Sequence, residues 1–120
     1  MWRMQEVIAA FDAERFTTLG PGYLALNIAG EAGELAGVIK KLWRSEPSIG
    51  LPEGFAAVGP DARALIADEL ADVVILSVVL SNHLGIDVEA EVQKKLDVIE
   101  QRLQAGYYGH EAAPKTSDNA

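Results

Sequence analysis

DARALIADELADVVILSVVL, residues 61–80, decides the fold. Its second part, VVILSVVL at 73–80, is rich in β-branched residues and alone passes for a buried strand. The first part runs into it without a turn residue, its alanines, leucines and acidic residues in helical order. The whole therefore reads as one helix, capped by Asp61 and running to His83, with Gly85 ending it. A helix apolar on every side must be covered on every side. In a chain of 120 residues that calls for a partner subunit as well as the other helices.

Outward from this segment the sequence predicts an all-α, four-helix bundle. A first helix spans Trp2 to Phe16, with Val7, Ile8 and Phe11 on one side, and TTLGPG (17–22) is a turn. The second helix spans Tyr23 to Arg44, and Asp87 caps a fourth that reaches Gln104. Between helices two and three lies SEPSIGLPEGFAAVGP (45–60), a loop with three prolines, long enough for a lid. Residues 1–105 read as one helical domain and 106–120 as a flexible tail carrying Tyr107 and Tyr108.

Composition narrows the function. At 49% apolar and 23% charged the chain is an ordinary globular domain. A net charge of -8 argues against nucleic acid as a direct partner. It is compatible with a phosphorylated ligand that arrives with a divalent cation, because the ion inverts the local sign. No cysteine is present, which removes disulfide and thiolate chemistry and fits a cytoplasmic protein. The N-terminal stretch lacks a signal-peptide core, and VVILSVVL falls far below the ~20 residues of a membrane span, so no membrane association is expected.

The chemistry gathers around GEAGELAG, residues 30–37. Glycine costs a helix interior roughly 1 kcal/mol relative to alanine, and a carboxylate beside an apolar face costs more unless something pairs with it. At about 100° per residue, Leu24, Ile28, Leu35, Ile39 and Leu42 form the apolar stripe of helix two, with Glu31 at its edge and Glu34 further round. Asn27 and Lys41 share that shoulder. On helix three the stripe is Leu65, Ile66, Val73, Leu76 and Leu80, and Glu69 and Asp72 repeat the positions of Glu31 and Glu34. Packed side by side, the two helices bring four carboxylates together. They would repel one another unless a hard cation sat among them. Mg²⁺, Mn²⁺ and Ca²⁺ all suit oxygen ligands, and carboxylates with substrate phosphates is the usual Mg²⁺ arrangement. A di-iron bundle wants Glu-x-x-His, and neither His83 nor His110 follows a helical glutamate at that spacing. Gly30, Gly33 and Gly37 project to another side, where small residues let a helix backbone come close, within or between subunits.

GEAGELAGVIKKLW and DELADVVIL, with LGIDVE (84–89) before the last helix, resemble the motif blocks of the MazG-like all-α nucleoside triphosphate pyrophosphohydrolases. The resemblance covers Leu24 to Arg102. It implies a homodimeric or homotetrameric bundle that cleaves a nucleoside triphosphate to the monophosphate and pyrophosphate with Mg²⁺, Mn²⁺ being a possible substitute, in house-cleaning or pool control. By the same resemblance Glu31, Glu34, Glu69 and Asp72 are the catalytic metal ligands, and one of them or Asp68 accepts the proton of water. Lys41, Lys95 and Arg102 are candidate grips on the outer phosphates, although Lys41 also reads as a solvated helix end. Asn27 reads a base or sugar, or simply edges the bundle; Trp43 stacks on a base or fills the bundle end. Three positions depart from the family pattern: Gly30 where many members carry a further glutamate, Leu76 in place of a pocket aromatic, and Ile99 in place of an asparagine. The alternative readings are a catalytically silent nucleotide- or metal-binding bundle and a helix-mediated interaction protein. Release of pyrophosphate separates them from the enzyme.

Overall fold

A computed structural model describes residues 1–15 and 19–107. The expected helix end at Phe16, the start of the 17–22 turn, Tyr108, His110 and the rest of the tail lie outside the described residues. Four α-helices follow one another: α1 (Arg3–Arg15), α2 (Pro21–Ser45), α3 (Pro60–His83) and α4 (Val88–Gln104). The stretch that decides the fold is helical throughout. Its two serines sit comfortably among valines because each hydroxyl bonds one turn back, Ser77 Oγ to the Val73 carbonyl at 2.7 Å and Ser81 Oγ to the Ser77 carbonyl at 2.9 Å. No helix among the described residues is long and apolar enough to cross a membrane.

Helix boundaries correct two expectations. Pro60 supplies a pre-set first-turn φ, so α3 starts from Gly59 and Asp61 falls inside the first turn rather than capping it. Segment 45–60 is not one irregular loop but carries a 3-10 helix at Pro47–Gly50 and another at Pro52–Ala57. Glu46 caps the first, its carboxylate accepting from the Ser48 N–H at 3.4 Å and also from Ser48 Oγ at 2.8 Å. The turns fold onto each other so tightly that a Cβ at Gly54 would lie 2.1 Å from the Ser48 carbonyl oxygen, which only glycine tolerates. Two other signals act as read: Gly85 takes a φ of 68° to end α3, and the Asp87 side chain caps α4 by accepting from the Ala90 N–H.

α2 packs along α3, and α1 packs against α3. The shared core is small: Ile8, Leu24, Val78 and Val79, with Leu19, Leu76, Leu80 and Val88 against it. α1 turns a different side inward from the one expected. Gln5, Ile8 and Asp12 are buried, whereas Val7 and Phe11 are about half exposed. Gln5 earns its place by its bonds. Its Nε2 donates to Asn82 Oδ1 (2.9 Å) and to the Ile86 carbonyl (2.7 Å), and its Oε1 accepts from the Val88 N–H (3.0 Å). The Asn82 amide donates back to the Gln5 carbonyl. Farther along α1, Asp12 Oδ2 meets His83 Nε2 at 2.7 Å. α1 is thus pinned to the end of α3 by polar contacts as well as by Ile8.

α4 is different. It touches the core through Val88, at its first turn, and packs along none of the other helices. Val92, Leu96 and Leu103 remain exposed on it, and on α3 so does Leu65.

Candidate metal centre

Because α2 and α3 run side by side, the two Glu-x-x-acid pairs meet where the shared spacing predicts. Glu31, Glu69 and Asp72, all partly buried, each offer one carboxylate oxygen within 4.8 Å of the others, close enough to share one metal ion. Glu31 Oε2 and Glu69 Oε2 are shut off from solvent and have no hydrogen-bond partner. Glu34 is more exposed but acts on both glutamates, near enough for a carboxyl–carboxyl hydrogen bond when one is protonated. Partial burial, followed by the charge of Glu34, pushes the Glu31 carboxyl up to about 7. Glu69 is raised for the same reasons, with Asp72 and Asp68 adding to the repulsion. No lysine or arginine among the described residues forms an ion pair with any of these carboxylates. An all-oxygen donor set with two shielded, unpartnered oxygens and no cation beside it has the chemistry of a hard divalent-metal site.

Beside the carboxylates lies a cavity of about 440 Å³. Glu31 and Asp72 form its acidic edge, Asn27 adds a carboxamide, and Phe11, Leu19, Leu24, Ile75, Leu76 and Val79 supply apolar walls. Leu76, the position that departs from the family pattern, therefore does line the chamber. Phe11 and Leu19 had no distinguishing signal in the sequence. Each reads as an ordinary core residue until α1 and the start of α2 are placed against α3. A second cavity of about 320 Å³ opens at the other end of α2, lined by Ile39, Leu42 and residues of the 3-10 segment with Arg63.

Of the remaining candidates, Asn27 alone lines the chamber beside the carboxylates. Trp43 serves as a floor for the first 3-10 helix, its ring 2.6 Å from where a Cβ on Gly50 would sit. Lys41 is exposed on α2. Lys95 and Arg102 lie on α4, away from the α2–α3 contact, and the Arg102 guanidinium stands 5.1 Å from the centre of the Tyr107 ring. Gly30, Gly33 and Gly37 have nothing within 4 Å of a Cβ position, so among the described residues no helix of this chain packs on the small-residue face. His83, expected as a plain helix-terminal histidine, instead partners buried Asp12.

The MazG-like family model matches residues 49–111, a span that holds Glu69, Asp72, Lys95 and Arg102. Among curated proteins, the chain is 34% identical over 100 residues to human dCTP pyrophosphatase 1, which covers 83% of this chain and 54% of that protein. It is 35% identical over 97 residues to dCTP pyrophosphatase 1 of Rattus norvegicus, covering 81% of this chain and 52% of the relative. The chain thus spans about half the length of the curated relatives it matches. No solved structure matches it significantly.

Proposed function

The chain belongs to the MazG-like family, and from that premise we propose that it is a divalent-metal-dependent nucleoside triphosphate pyrophosphohydrolase. The observation that carries this reading is the meeting of Glu31, Glu69 and Asp72 around shielded, unpartnered oxygens at the edge of an apolar chamber. In this reading those three carboxylates hold Mg²⁺, or Mn²⁺ in its place, and Glu34 stands beside them as the base. Such a cation, when bound, neutralises phosphate oxygens, lowers the pKa of water and stabilises the pyrophosphate leaving group.

The rest of the task falls to side chains. The nucleoside enters the chamber against Phe11, Leu76 and Val79, which excludes water from one side of the reacting phosphate. Asn27, one helical turn before Glu31, offers both a donor and an acceptor to the base or sugar. Water attacks the α-phosphorus, the α–β phosphoanhydride bond breaks, and nucleoside monophosphate and pyrophosphate leave. Glu34 stands outside the three-oxygen group yet beside it, which suits it to take the proton from the attacking water. Because the relatives are named dCTP pyrophosphatases, dCTP heads the substrate list. We place the activity in the cytoplasm, on free nucleotide pools, in a homo-oligomer that covers the exposed apolar residues of α3 and α4.

Pyrophosphate release from a panel of ribo- and deoxyribonucleoside triphosphates, with Mg²⁺ and with chelator, tests this. Release that requires the cation is expected. Absence of release from every triphosphate with Mg²⁺ present would overturn the enzymatic reading.

A further inference from the structure

The 3-10 segment roofs a cavity that the metal centre does not use. It measures about 320 Å³ and shares no lining residue with the chamber beside Glu31. Ile39 and Leu42 of α2, Ile66 of α3, and Ile49 and Val58 of the connecting segment give it an aliphatic interior. Leu51 and Phe55 also border it and are 54% and 82% exposed, so its mouth opens on their side. The roof is a built element. The Glu46 carboxylate fastens its first turn through Ser48, and Gly54 lies too close under the Ser48 carbonyl to admit a Cβ.

Arg63 is the one charged side chain on this lining. Among the described residues its guanidinium has a single acceptor, the Val58 carbonyl at 3.4 Å, which leaves most of its five N–H donors unused. No acidic residue lines the cavity, although the chain carries a net charge of -8. An aliphatic interior with one open, fork-shaped cation has a definite complement. From this lining we propose that the cavity binds a small amphipathic monoanion, a straight-chain carboxylate whose tail lies among the isoleucines and whose head pairs with Arg63. Size sets its length. At about 30 Å³ per water-sized atom, the cavity holds about ten non-hydrogen atoms, which is an eight-carbon chain with two carboxylate oxygens. The guanidinium matches such a head in two parallel hydrogen bonds. A sugar or nucleobase fits poorly, because its several donors and acceptors would meet one polar side chain. A cationic amphiphile would meet Arg63 as a like charge. Neither nucleotide nor metal takes part, so the assignment stands apart from the pyrophosphohydrolase reading.

Trp43 reports on occupancy. Its ring lies against Gly50, next to Ile49 of the roof, and Trp2 is the chain's other tryptophan. In a Trp2→Phe protein, titration with sodium octanoate should shift the Trp43 emission saturably. Calorimetry on the wild-type chain should count one site per chain, half-saturated below about 1 mM, which ten atoms in an apolar site can reach. The charge of the ligand then decides. 1-Octanol and octylammonium carry the same tail, and each should bind about tenfold or more weakly than octanoate, the share of a charge-assisted hydrogen bond. Arg63→Ala should abolish the preference for octanoate over octanol. Its melting temperature should not move, because Arg63 is exposed and gives up one long hydrogen bond.

Equal binding of octanoate and octanol to the wild-type chain would overturn the proposal, since the cavity would then be an apolar surface without recognition. This comparison needs no variant, so it decides the matter even where Arg63→Ala fails to fold. Absence of saturable octanoate binding would overturn it as well. If octanoate fails to bind while Phe55→Ala splits an oligomer in sedimentation, a second copy covers the mouth and the ligand site falls.

Discussion

α3 carries two polar groupings a few turns apart, and they are built on opposite principles. At its C-terminal end Asn82 and His83 meet Gln5 and Asp12 of α1, and nearly every polar atom there has a complementary partner. Asp12 Oδ1 is the exception. In its middle, Glu69 and Asp72 meet Glu31 and Glu34 of α2, and the neighbours carry the same charge. Buried polar groups normally persist because a partner repays their lost hydration. The first grouping follows that rule and fastens two helices. The second breaks it, gathering like charges around shielded, unpartnered oxygens, the donor set that our proposal gives to a divalent cation.

The contrast is broken or upheld most sharply at Glu69. Glu69→Gln keeps the shape and removes a charge, so turnover should fall by orders of magnitude, as a loss of several kcal/mol of transition-state stabilisation implies. Stability without metal should hold or rise, because repulsion is relieved. A variant that melts early yet keeps full pyrophosphate release would make Glu69 a structural residue like Gln5.

Gln5→Leu is the converse experiment. It preserves bulk but strands the Ile86 carbonyl, the Val88 N–H and the Asn82 amide, costing about 3 kcal/mol. Thermal melting should come down by about 10 °C, with turnover per folded molecule retained. Should activity collapse while the melting temperature stands, the fastening would belong to the site instead.

A smaller effect is expected from His83→Ala. Asp12 would lose its partner, but the half-open histidine is already hydrated in part, so about 1–2 kcal/mol is at stake. Denaturant unfolding should show it as a shifted midpoint with an unchanged slope.

The smallest effect comes from pH on the metal-free protein. Glu31 titrates near 7 in the fold against an ordinary 4.5. A raised carboxyl favours the protonated fold, so its stabilising contribution is complete below about 4.5 and is lost as pH rises through about 7. Melting temperature should climb by a few degrees at most as pH falls from about 8 to about 5. Added Mg²⁺ should reverse the trend, raising the melting temperature more at the higher pH, because ligands must be deprotonated to bind. Equal metal effects at both ends would separate Glu31 from the metal.

What could be read in the sequence was whatever repeats at helical spacing. The Glu31/Glu34 and Glu69/Asp72 pairs sit three residues apart beside apolar stripes, and their convergence follows once two adjacent helices are granted. The continuous helix through VVILSVVL was legible because no breaker interrupts it. Gln5 and Asp12 were not legible. A polar residue at a core position looks like surface until its partners are known, and these lie more than 70 residues away. The 3-10 turns were equally hidden, since they depend on Gly54 folding under the Ser48 carbonyl.

The sequence by itself determined the helices, the acidic pairs and the absence of thiol chemistry, because periodicity, charge and composition are local properties of the chain. Only the tertiary structure decided which side of α1 faces inward, that Leu76 and Asn27 share a chamber with Glu31, and that α4 stands apart with Lys95 and Arg102. Those are matters of which surfaces meet. Apolar burial has no direction of its own, so a stripe on one helix does not name the face that will cover it.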